Sequence, residues 1–241
     1  MTRIPVVEVF GPTIQGEGAL AGVPCSFVRV GGCDYRCTWC DSLHAVLPEA
    51  VRDAPRMTPA EVVDALDRLS AQPEWVTLSG GNPALFELGD LVARLHRVGR
   101  KVAVETQGSI WREWLADVDL LTISPKPPSS GMASDDHAAE AEQFLDRAVA
   151  TEAPLALKIV VFHEEDYLWA LGIRERWPAL PFHLSCGTDP PRPGDTHAET
   201  LRGISDRYRW LCERAAGDPV MVGARIMPQL HVVAWGHEKG R

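Results

Sequence analysis

Apolar residues along the chain recur in short runs, separated by glycine, proline and segments whose apolar positions follow a helical spacing. Runs rich in Val, Ile, Leu and Phe predict six strands, at residues 23–30, 75–79, 101–105, 119–124, 155–162 and 182–185. Helical spacing predicts helices after Thr58 and around residues 88–98, 111–118, 138–150 and 164–177. Strands alternating with helices are typical of a parallel sheet.

The number of strand candidates sets the expected architecture. A closed barrel of eight βα units needs about 250 residues, and this chain has 241 residues with only about six strand candidates. We therefore predict an α/β fold, a partial, open parallel βα barrel of about six strands. Residues 126–136 and 188–196 lack periodicity and are expected to be long functional loops. Since no linker or repeat divides the chain, residues 1–241 are expected to form a single domain.

Charge and hydropathy exclude several classes of partner. The net charge is −9 and the sequence pI is about 5.4, and no dense Lys/Arg cluster is present, so nucleic acid is not expected to bind. No run of 18 apolar residues occurs, so no membrane association is expected, and Pro5, Gly11 and Pro12 interrupt the first apolar stretch. The protein is expected to be cytoplasmic, where clustered cysteines indicate a metal or catalytic site rather than disulfides.

Three of the six cysteines lie within eight residues, as Cys33, Cys37 and Cys40 in GGCDYRCTWCDS (31–42). A structural zinc site usually has four ligands, and His44, the nearest candidate for a fourth, has no partner at zinc-finger spacing. A [4Fe-4S] cluster bound by three cysteines leaves one iron free to bind a small molecule. The spacing therefore favours such a cluster, with zinc or structural cysteines as the alternative.

The C-x3-C-x2-C spacing, with Trp39 before the last cysteine, resembles the signature of the radical S-adenosylmethionine superfamily. Further motifs between Ile4 and Trp235 narrow the resemblance to the 7-carboxy-7-deazaguanine synthase family. They are FGPTIQGEG (10–18), FVRVGGCDYRCTWCDS (27–42), TLSGGNPA (77–84), ETQGS (105–109), TISPKPPSS (122–130), LKIVVF (157–162) and PQLH (228–231). This resemblance implies a lyase that contracts a ring of 6-carboxy-5,6,7,8-tetrahydropterin, giving 7-carboxy-7-deazaguanine and ammonia on the route to queuosine and other 7-deazapurines.

The resemblance also implies roles for individual residues. A [4Fe-4S] cluster would be bound by Cys33, Cys37 and Cys40, and Mg²⁺ by Ser42. Contacts with S-adenosylmethionine would come from Trp39, Gly81, Asn82, Thr106, Ser124, Lys126 and Ser185. Substrate contacts would come from Ile14, Gln15, Gly16, Glu17, Arg29, Ser79 and His231. No catalytic residue beyond the cofactor chemistry is expected. Asn82 replaces a more usual glutamate and Ser185 a glutamine, which puts the Ser185 contact in doubt.

Some of these assignments also have a rationale in the residues themselves. Arg29 lies in an apolar strand four residues before Cys33, and a guanidinium can donate two hydrogen bonds to one carboxylate. Gln15 and Glu17, in a glycine-rich segment, can bond the amino-pyrimidinone edge of a pterin. Taken singly, Glu17 and Arg29 could be surface charges, and His231, expected on an apolar terminal strand, could be a core residue.

The resemblance suggests a homodimer and an electron donor such as a flavodoxin or ferredoxin. Two other functions stay open. An activase that forms a glycyl radical on a partner protein has the same cysteine spacing, but it gives no reason for Gln15, Arg29 and His231 together. The other is a structural zinc or iron–sulfur module without turnover. Cys186, next to Ser185, is expected to be a buried structural thiol.

Overall fold

The computed structural model describes residues 3–240, which contain one nine-stranded sheet. The strands are β1 (Ile4–Ile14), β2 (Pro24–Val30), β3 (Arg56–Met57), β4 (Trp75–Gly80), β5 (Lys101–Thr106), β6 (Leu120–Ile123), β7 (Leu155–Val161), β8 (Phe182–Cys186) and β9 (Arg225–Pro228). Their order in the sheet is β3-β1-β2-β4-β5-β6-β7-β8-β9. Strands β2 and β4 to β9 are parallel, whereas β1 is antiparallel to both β2 and β3. The predicted open parallel α/β fold is confirmed.

Helices connect most of the parallel strands. They are α1 (Leu43–Val46), α2 (Pro48–Asp53), α3 (Pro59–Asp67), α4 (Gly89–Arg97), α5 (Asp135–Val149), α6 (Glu164–Arg176), α7 (His197–Ala216) and α8 (Leu230–Trp235). Helix α3 begins with the capping box of Thr58 and Glu61, in which each side chain accepts a hydrogen bond from the other residue's backbone N–H. Within residues 3–240, no helix is both long and apolar enough to cross a membrane.

All six predicted strands are present, but the prediction of about six was too low. Strand β1 was missed because Gly11 and Pro12 interrupt its apolar pattern and its pairing with β2 is irregular. Strand β3 has only two residues, and β9 has only four. Residues 113–117 form a 3-10 turn rather than an α-helix. Helix α7 was not predicted, although Thr196 and Glu199 form a capping box at its start.

The prediction that His231 lies on a terminal strand is wrong, because His231 is in α8. Strand β9 ends at Pro228, whose ring nitrogen has no hydrogen to donate to a neighbouring strand. Of the two predicted loops, 126–136 contains a short 3-10 turn, Pro128–Ser130. Residues 188–196 have no helix or strand, and most of their side chains are exposed.

The two faces of the sheet differ in polarity because side chains alternate along each strand. On one face, Val28, Leu78 and Val104 join a core that also contains buried residues of the helices. The opposite face is called the polar face here. Its inward side chains include Arg29, Ser79, Glu105, Thr122, Ser124, Lys158, His183 and Ser185. A polar face is unusual in a buried parallel sheet, and it indicates a binding site.

A short 3-10 turn, Gly18–Leu20, covers the part of the polar face nearest the amino ends of the strands. Ala19 and Leu20 pack there against three apolar residues of the sheet, which are Ala103, Leu120 and Ala156. Glu105 and Lys158 lie two residues further along their strands. The accessible polar side chains therefore lie toward the carboxyl ends, where ligands bind in parallel α/β folds.

Gly80 and Gly81 bring the end of β4 against the backbone that precedes the cysteines. Gly81 N donates to Val30 O at 3.0 Å, and Asn82 N donates to Gly32 O at 2.8 Å. A Cβ atom on Gly81 would lie 1.7 Å from Gly32 O. Gly80 has a φ of +118°, and its Cβ would lie 2.2 Å from Val30 O. The cysteine loop can approach the sheet only because both residues lack a side chain.

We expect Gly81→Ala to lower the free energy of unfolding by at least about 1–3 kcal/mol, because the added methyl overlaps a backbone carbonyl that cannot rotate away. Gly172→Ala is the matched control, since its Cβ would meet no atom within 4 Å among the described residues. It lies inside α6, where alanine stabilises by up to about 1 kcal/mol. Anaerobic urea unfolding measures both. Equal stability of the two variants would contradict the close backbone contact.

Candidate active site

The cysteine loop, residues 31–42, follows β2 and carries Cys33, Cys37 and Cys40. All three thiols are free and partly exposed. Burial raises the pKa of each, that of Cys40 to about 11, and the charge of Lys126 opposes this increase at all three. Because iron binds thiolates rather than thiols, Lys126 favours the form of the cysteines that would bind a metal centre.

Three free thiols on one loop can each supply one ligand to a multi-iron cluster. A zinc ion would draw every sulfur to about 2.3 Å from a common centre. A [4Fe-4S] cluster instead binds each thiolate through a different iron, so the sulfurs stay further apart. One loop with three free thiols meets this requirement.

The far side of the cysteine loop is fixed by the 3-10 turn Pro128–Ser130. Thr38 Oγ1 donates to Ser129 O at 2.7 Å, and Trp39 Nε1 donates to Ser129 Oγ at 3.0 Å. Ser129 N in turn donates to Oδ1 of Asp166 at 2.9 Å. Asp166 is fully buried in α6 and also accepts a bond from Phe162 N. The cysteine loop is therefore linked through Ser129 to the helical layer.

Two of the residues predicted to contact S-adenosylmethionine, Asn82 and Thr106, bond each other. Asn82 Oδ1 accepts hydrogen bonds from Thr106 Oγ1 at 2.9 Å and from Ala84 N at 3.2 Å. Asn82 Nδ2 donates to Asp34 Oδ1 at 3.0 Å and to Ser109 Oγ at 3.1 Å. The Asn82 amide oxygen thus already accepts from two donors, and Asn82 is fully buried.

Three more predicted cofactor residues lie together beside the cysteine loop. Lys126 Nζ donates to Ser124 Oγ at 3.1 Å and lies 5.8 Å from the centroid of the Trp39 ring. The Trp39 ring also contacts the ring of Phe162, with centroids 5.3 Å apart. Ser185 is fully buried on β8, and its hydroxyl has no hydrogen-bond partner among the described residues. Phe162 was not predicted to be part of this group.

Arg29 and Ser42, predicted to bind the substrate and Mg²⁺, contact each other. Arg29 Nη1 donates to Ser42 Oγ at 2.7 Å, and Arg29 Nε donates to Glu8 Oε1 at 2.5 Å. Ser42 Oγ donates to Asp41 Oδ1 at 2.9 Å. His44 Nε2 lies 3.2 Å from the same oxygen of Glu8. Glu8 was not predicted, and His44 was considered only as a zinc ligand. Together these groups form a polar cluster at the end of β2.

A second polar cluster is buried under the polar face. Lys158 Nζ lies 2.5 Å from Glu17 Oε2 and 3.2 Å from Glu105 Oε2. Gln15 Nε2 donates to Glu105 Oε1 at 2.9 Å, and Gln229 Nε2 donates to Glu17 Oε1. The side chains of Glu17 and Lys158 are each 8% exposed, whereas that of Glu105 is 24% exposed. Glu105 is therefore the carboxylate open to a ligand.

Glu17 and Lys158 both carry their charges at neutral pH. Burial would raise the pKa of Glu17, but the charges of Lys158 and His231 and hydrogen bonds from Lys158 and Gln229 lower it to about 2. Burial would lower the pKa of Lys158, but the charges of Glu105 and Glu17 raise it above its ordinary value. Burial and the positive charges of Arg225 and Lys158 lower the pKa of His183 to about 4. His183 is therefore neutral at pH 7.

The two ends of the chain meet at this cluster. Leu230 N donates to Gly16 O at 3.0 Å. A Cβ on Gly16 would lie 2.0 Å from Nδ1 of His231, so the ring packs directly on the Gly16 backbone. Ile14, the last residue of β1, directly precedes Gln15. Of the predicted substrate residues, Gln15, Gly16, Glu17 and His231 lie together here, whereas Arg29 pairs with Ser79 across β2 and β4.

Sequence reasoning missed Glu8, Glu105, Lys158 and Gln229. A signal for two of them was present, because Glu105 in KVAVET and Lys158 in LALKIVV each interrupt an apolar strand. A charged side chain within a buried strand is rarely left unpaired. The partners of these charges lie far away in sequence, and only the folded chain shows which residues they contact.

Comparison with known proteins agrees with these observations. The Radical SAM superfamily pattern matches residues 27–124, which include all three clustered cysteines. The 7-carboxy-7-deazaguanine synthase of Bacillus cereus is 41% identical over 244 residues, covering 100% of both chains. That of Bacillus subtilis is 39% identical over 243 residues, covering 98% of each. The chain belongs to the 7-carboxy-7-deazaguanine synthase family. It is thus a radical S-adenosylmethionine lyase that uses a [4Fe-4S] cluster, a reductant and a small-molecule substrate.

Solved structures show the same fold at lower sequence identity. QueE from Escherichia coli superposes with a TM-score of 0.63 at 20% identity, covering 95% of each chain. Streptococcus suis SuiB bound to S-adenosylmethionine gives a TM-score of 0.52 at 14% identity, covering 84% of this chain and 50% of that one. The family assignment leaves no support for a structural metal-binding module without turnover.

We expect Cys33→Ala, Cys37→Ala and Cys40→Ala each to abolish cluster binding, because one loop supplies all three thiolates. Cys186→Ala and Cys25→Ala are the controls, since both thiols are fully buried among apolar residues. Iron content per chain after anaerobic reconstitution measures the effect. Loss of iron in Cys186→Ala as complete as in Cys37→Ala would show that the ligand assignment is wrong.

Proposed function

We propose that the protein converts 6-carboxy-5,6,7,8-tetrahydropterin to 7-carboxy-7-deazaguanine and ammonia, in the biosynthesis of queuosine and other 7-deazapurines. The observation that carries this proposal is the 41% identity, over the full length of both chains, to a relative with that synthase name. The substrate minus ammonia has the composition of the product, so the reaction needs no net oxidant and suits a lyase. We propose that residues 1–241 act as a single domain.

Cys33, Cys37 and Cys40 would hold the cluster. With S-adenosylmethionine, the bound cluster supplies a carbon-centred radical that starts the reaction. The cofactor contacts we propose are Trp39, Gly81, Asn82, Thr106, Ser124, Lys126 and Ser185. Trp39 offers an aromatic face and Lys126 a cation beside the cysteines. Asn82 and Ser185 are fully buried, so they would have to move slightly to reach a ligand.

The buried cluster suits the amino-pyrimidinone edge of a pterin. That edge presents adjacent N–H donors, and carboxylates are the strongest acceptors for such donors. Glu105 and Glu17 supply carboxylates, and Gln15 supplies an amide next to Glu105. His231 lies over Gly16 and would contact the ring. Ile14 and Ser79 would complete the walls of the site.

Arg29 and Ser42 suit the substrate carboxylate and a Mg²⁺ ion. Ser42 Oγ accepts from the Arg29 guanidinium at 2.7 Å, so a Mg²⁺ ion at this hydroxyl would lie close to a second positive charge. Mg²⁺ binding would therefore be favoured by movement of Arg29 away from Ser42, and the substrate carboxylate is the partner that would receive the guanidinium. Few protein ligands are needed, because Mg²⁺ retains waters and substrate oxygens. We further propose a flavodoxin or ferredoxin as donor, and a homodimer.

The reconstituted, anaerobic protein is expected to form one ammonia per 7-carboxy-7-deazaguanine when supplied with the tetrahydropterin, S-adenosylmethionine, Mg²⁺ and a reductant. Omitting Mg²⁺ should lower the rate, since it would remove one of the groups that hold the substrate carboxylate. Cys37→Ala is the control without a cluster. Product and ammonia are measured by chromatography and an enzymatic assay. Cleavage of S-adenosylmethionine with no deazaguanine formed would contradict the proposed substrate.

A further inference from the structure

Lys158 is the cation of the buried cluster, and neither cofactor binding nor the proposed substrate contacts explain it. It lies on β7, and its side chain is 8% exposed. Its ammonium group contacts Glu17, 141 residues away in sequence, and Glu105, 53 residues away. A lysine is rarely buried to this extent unless its ammonium group is paired with negative charges.

We infer that Lys158 is a positioning residue that holds Glu17 and Glu105 as a pair of carboxylate acceptors for a ring edge with adjacent N–H donors. The chemical class of ligand is a 2-amino-pyrimidinone or another heterocycle with a guanidine-like edge. This inference rests on the proposed function, which supplies the pterin as the ligand to be tested.

The hydrogen bonds leave acceptor capacity on both carboxylates. Each oxygen of Glu17 and Glu105 accepts one bond, from Lys158, Gln229 or Gln15. A carboxylate oxygen has two lone-pair sites, so each can accept one more. The bonds present fix the planes of both carboxylates before a ligand arrives, and such preorganisation strengthens binding. The greater exposure of Glu105 makes it the first acceptor that a ligand meets.

The charge balance explains why a cation is required. Glu17 is buried beside the partly exposed Glu105, and without a cation burial and the repulsion between the two carboxylates would favour a protonated Glu17. The other ionisable groups around this cluster are His231 on α8, His183 on β8, Arg225 on β9 and Cys25 on β2. His183 is neutral at pH 7 and Cys25 has a pKa raised by burial to about 12. Among residues 3–240, only Lys158 contacts both carboxylates.

The same contacts exclude a role for Lys158 as a base or nucleophile. The charges of Glu105 and Glu17 raise its pKa, so its amine carries no free lone pair at neutral pH. The Gly18–Leu20 turn also covers its aliphatic stem, since a Cβ on Gly18 would lie 3.6 Å from Lys158 Cδ. Lys158 therefore acts through the carboxylates that it holds.

The first test compares Lys158→Met and Lys158→Arg with a matched control, Lys101→Met. Lys101 is also on a strand, but it pairs with Glu74 at the surface. Urea unfolding midpoints of the anaerobic holoenzyme are measured at about pH 6.5 and 8.5. In Lys158→Met the effect of burial on Glu17 is no longer offset by the lysine, so the folded pKa of Glu17 should rise above its unfolded value, and stability present at low pH should be lost as pH rises. The urea midpoint of Lys158→Met should therefore fall further below that of the wild type at the higher pH.

Lys158→Arg retains the charge, so its loss of stability relative to the wild type should not increase with pH. The same result is expected for Lys101→Met. If Lys158→Met does not fold, the double variant Lys158→Met/Glu105→Gln removes one of the repelling charges and should recover folding. A deficit of the same size at both pH values, or a double variant no more stable than the single one, would overturn the inference.

The second readout concerns the substrate. Lys158→Met should raise KM for the tetrahydropterin at least about tenfold, with kcat less affected, and Lys158→Arg should recover part of the loss. Cleavage of S-adenosylmethionine without the pterin should be unchanged. An unchanged KM in Lys158→Met would overturn the positioning role. Failure of the wild type to turn over the pterin would refute the proposed function and the assigned ligand, whereas the pH-dependent unfolding would still report the charge role separately.

Discussion

The buried ion pair between Glu17 and Lys158 is the interaction on which the site depends. Two charges removed from water are tolerated only when they compensate each other and their remaining sites are hydrogen-bonded. Glu17 comes from the turn after β1 and Lys158 from the middle of β7, and Gln229 reaches the same carboxylate from the segment before α8. The site therefore forms only when both ends of the chain have packed on the sheet.

A second constraint fixes the cysteine loop to the same edge of the sheet. Backbone contact between Gly81 and Gly32 holds one side of the loop, and Thr38 and Trp39 hold the other through Ser129. Neither contact involves the cysteines, whose thiols stay free for a cluster. Separate interactions thus position the cysteine loop and the proposed substrate site along one end of a parallel sheet.

The elements that sequence predicted well are those specified by local pattern. Six strands carry apolar runs, and the motif of Cys33, Cys37 and Cys40 lies within the residues that match the Radical SAM pattern. Strand β1 was not predicted because Gly11 and Pro12 interrupt its apolar pattern. Strand β9 ends at Pro228, and His231 lies in the helix that follows. The extents of β1 and β9 depend on their pairing with neighbouring strands, which the local sequence does not show.

The charged residues of the site were likewise predictable only in part from the local sequence. Glu105 and Lys158 are visible as exceptions in apolar strands, but nothing local in the sequence shows that they share a contact with Glu17. Arg29 was expected to bind the carboxylate of the substrate, whereas in the structure it pairs with Glu8. Long-range partners of this kind are set by the register of the sheet, which a short motif does not encode.

The central claim is that Lys158 holds Glu17 charged, at the proposed substrate site, before the ligand arrives. Anaerobic calorimetry of tetrahydropterin binding to the wild-type holoenzyme, between about pH 6.5 and 8.5, tests it most directly. With the pKa of Glu17 lowered to about 2 and that of Lys158 raised, neither group titrates in this range, so the dissociation constant should stay constant. A change of about tenfold with a midpoint near neutral pH would show that the cluster titrates, and would contradict the account.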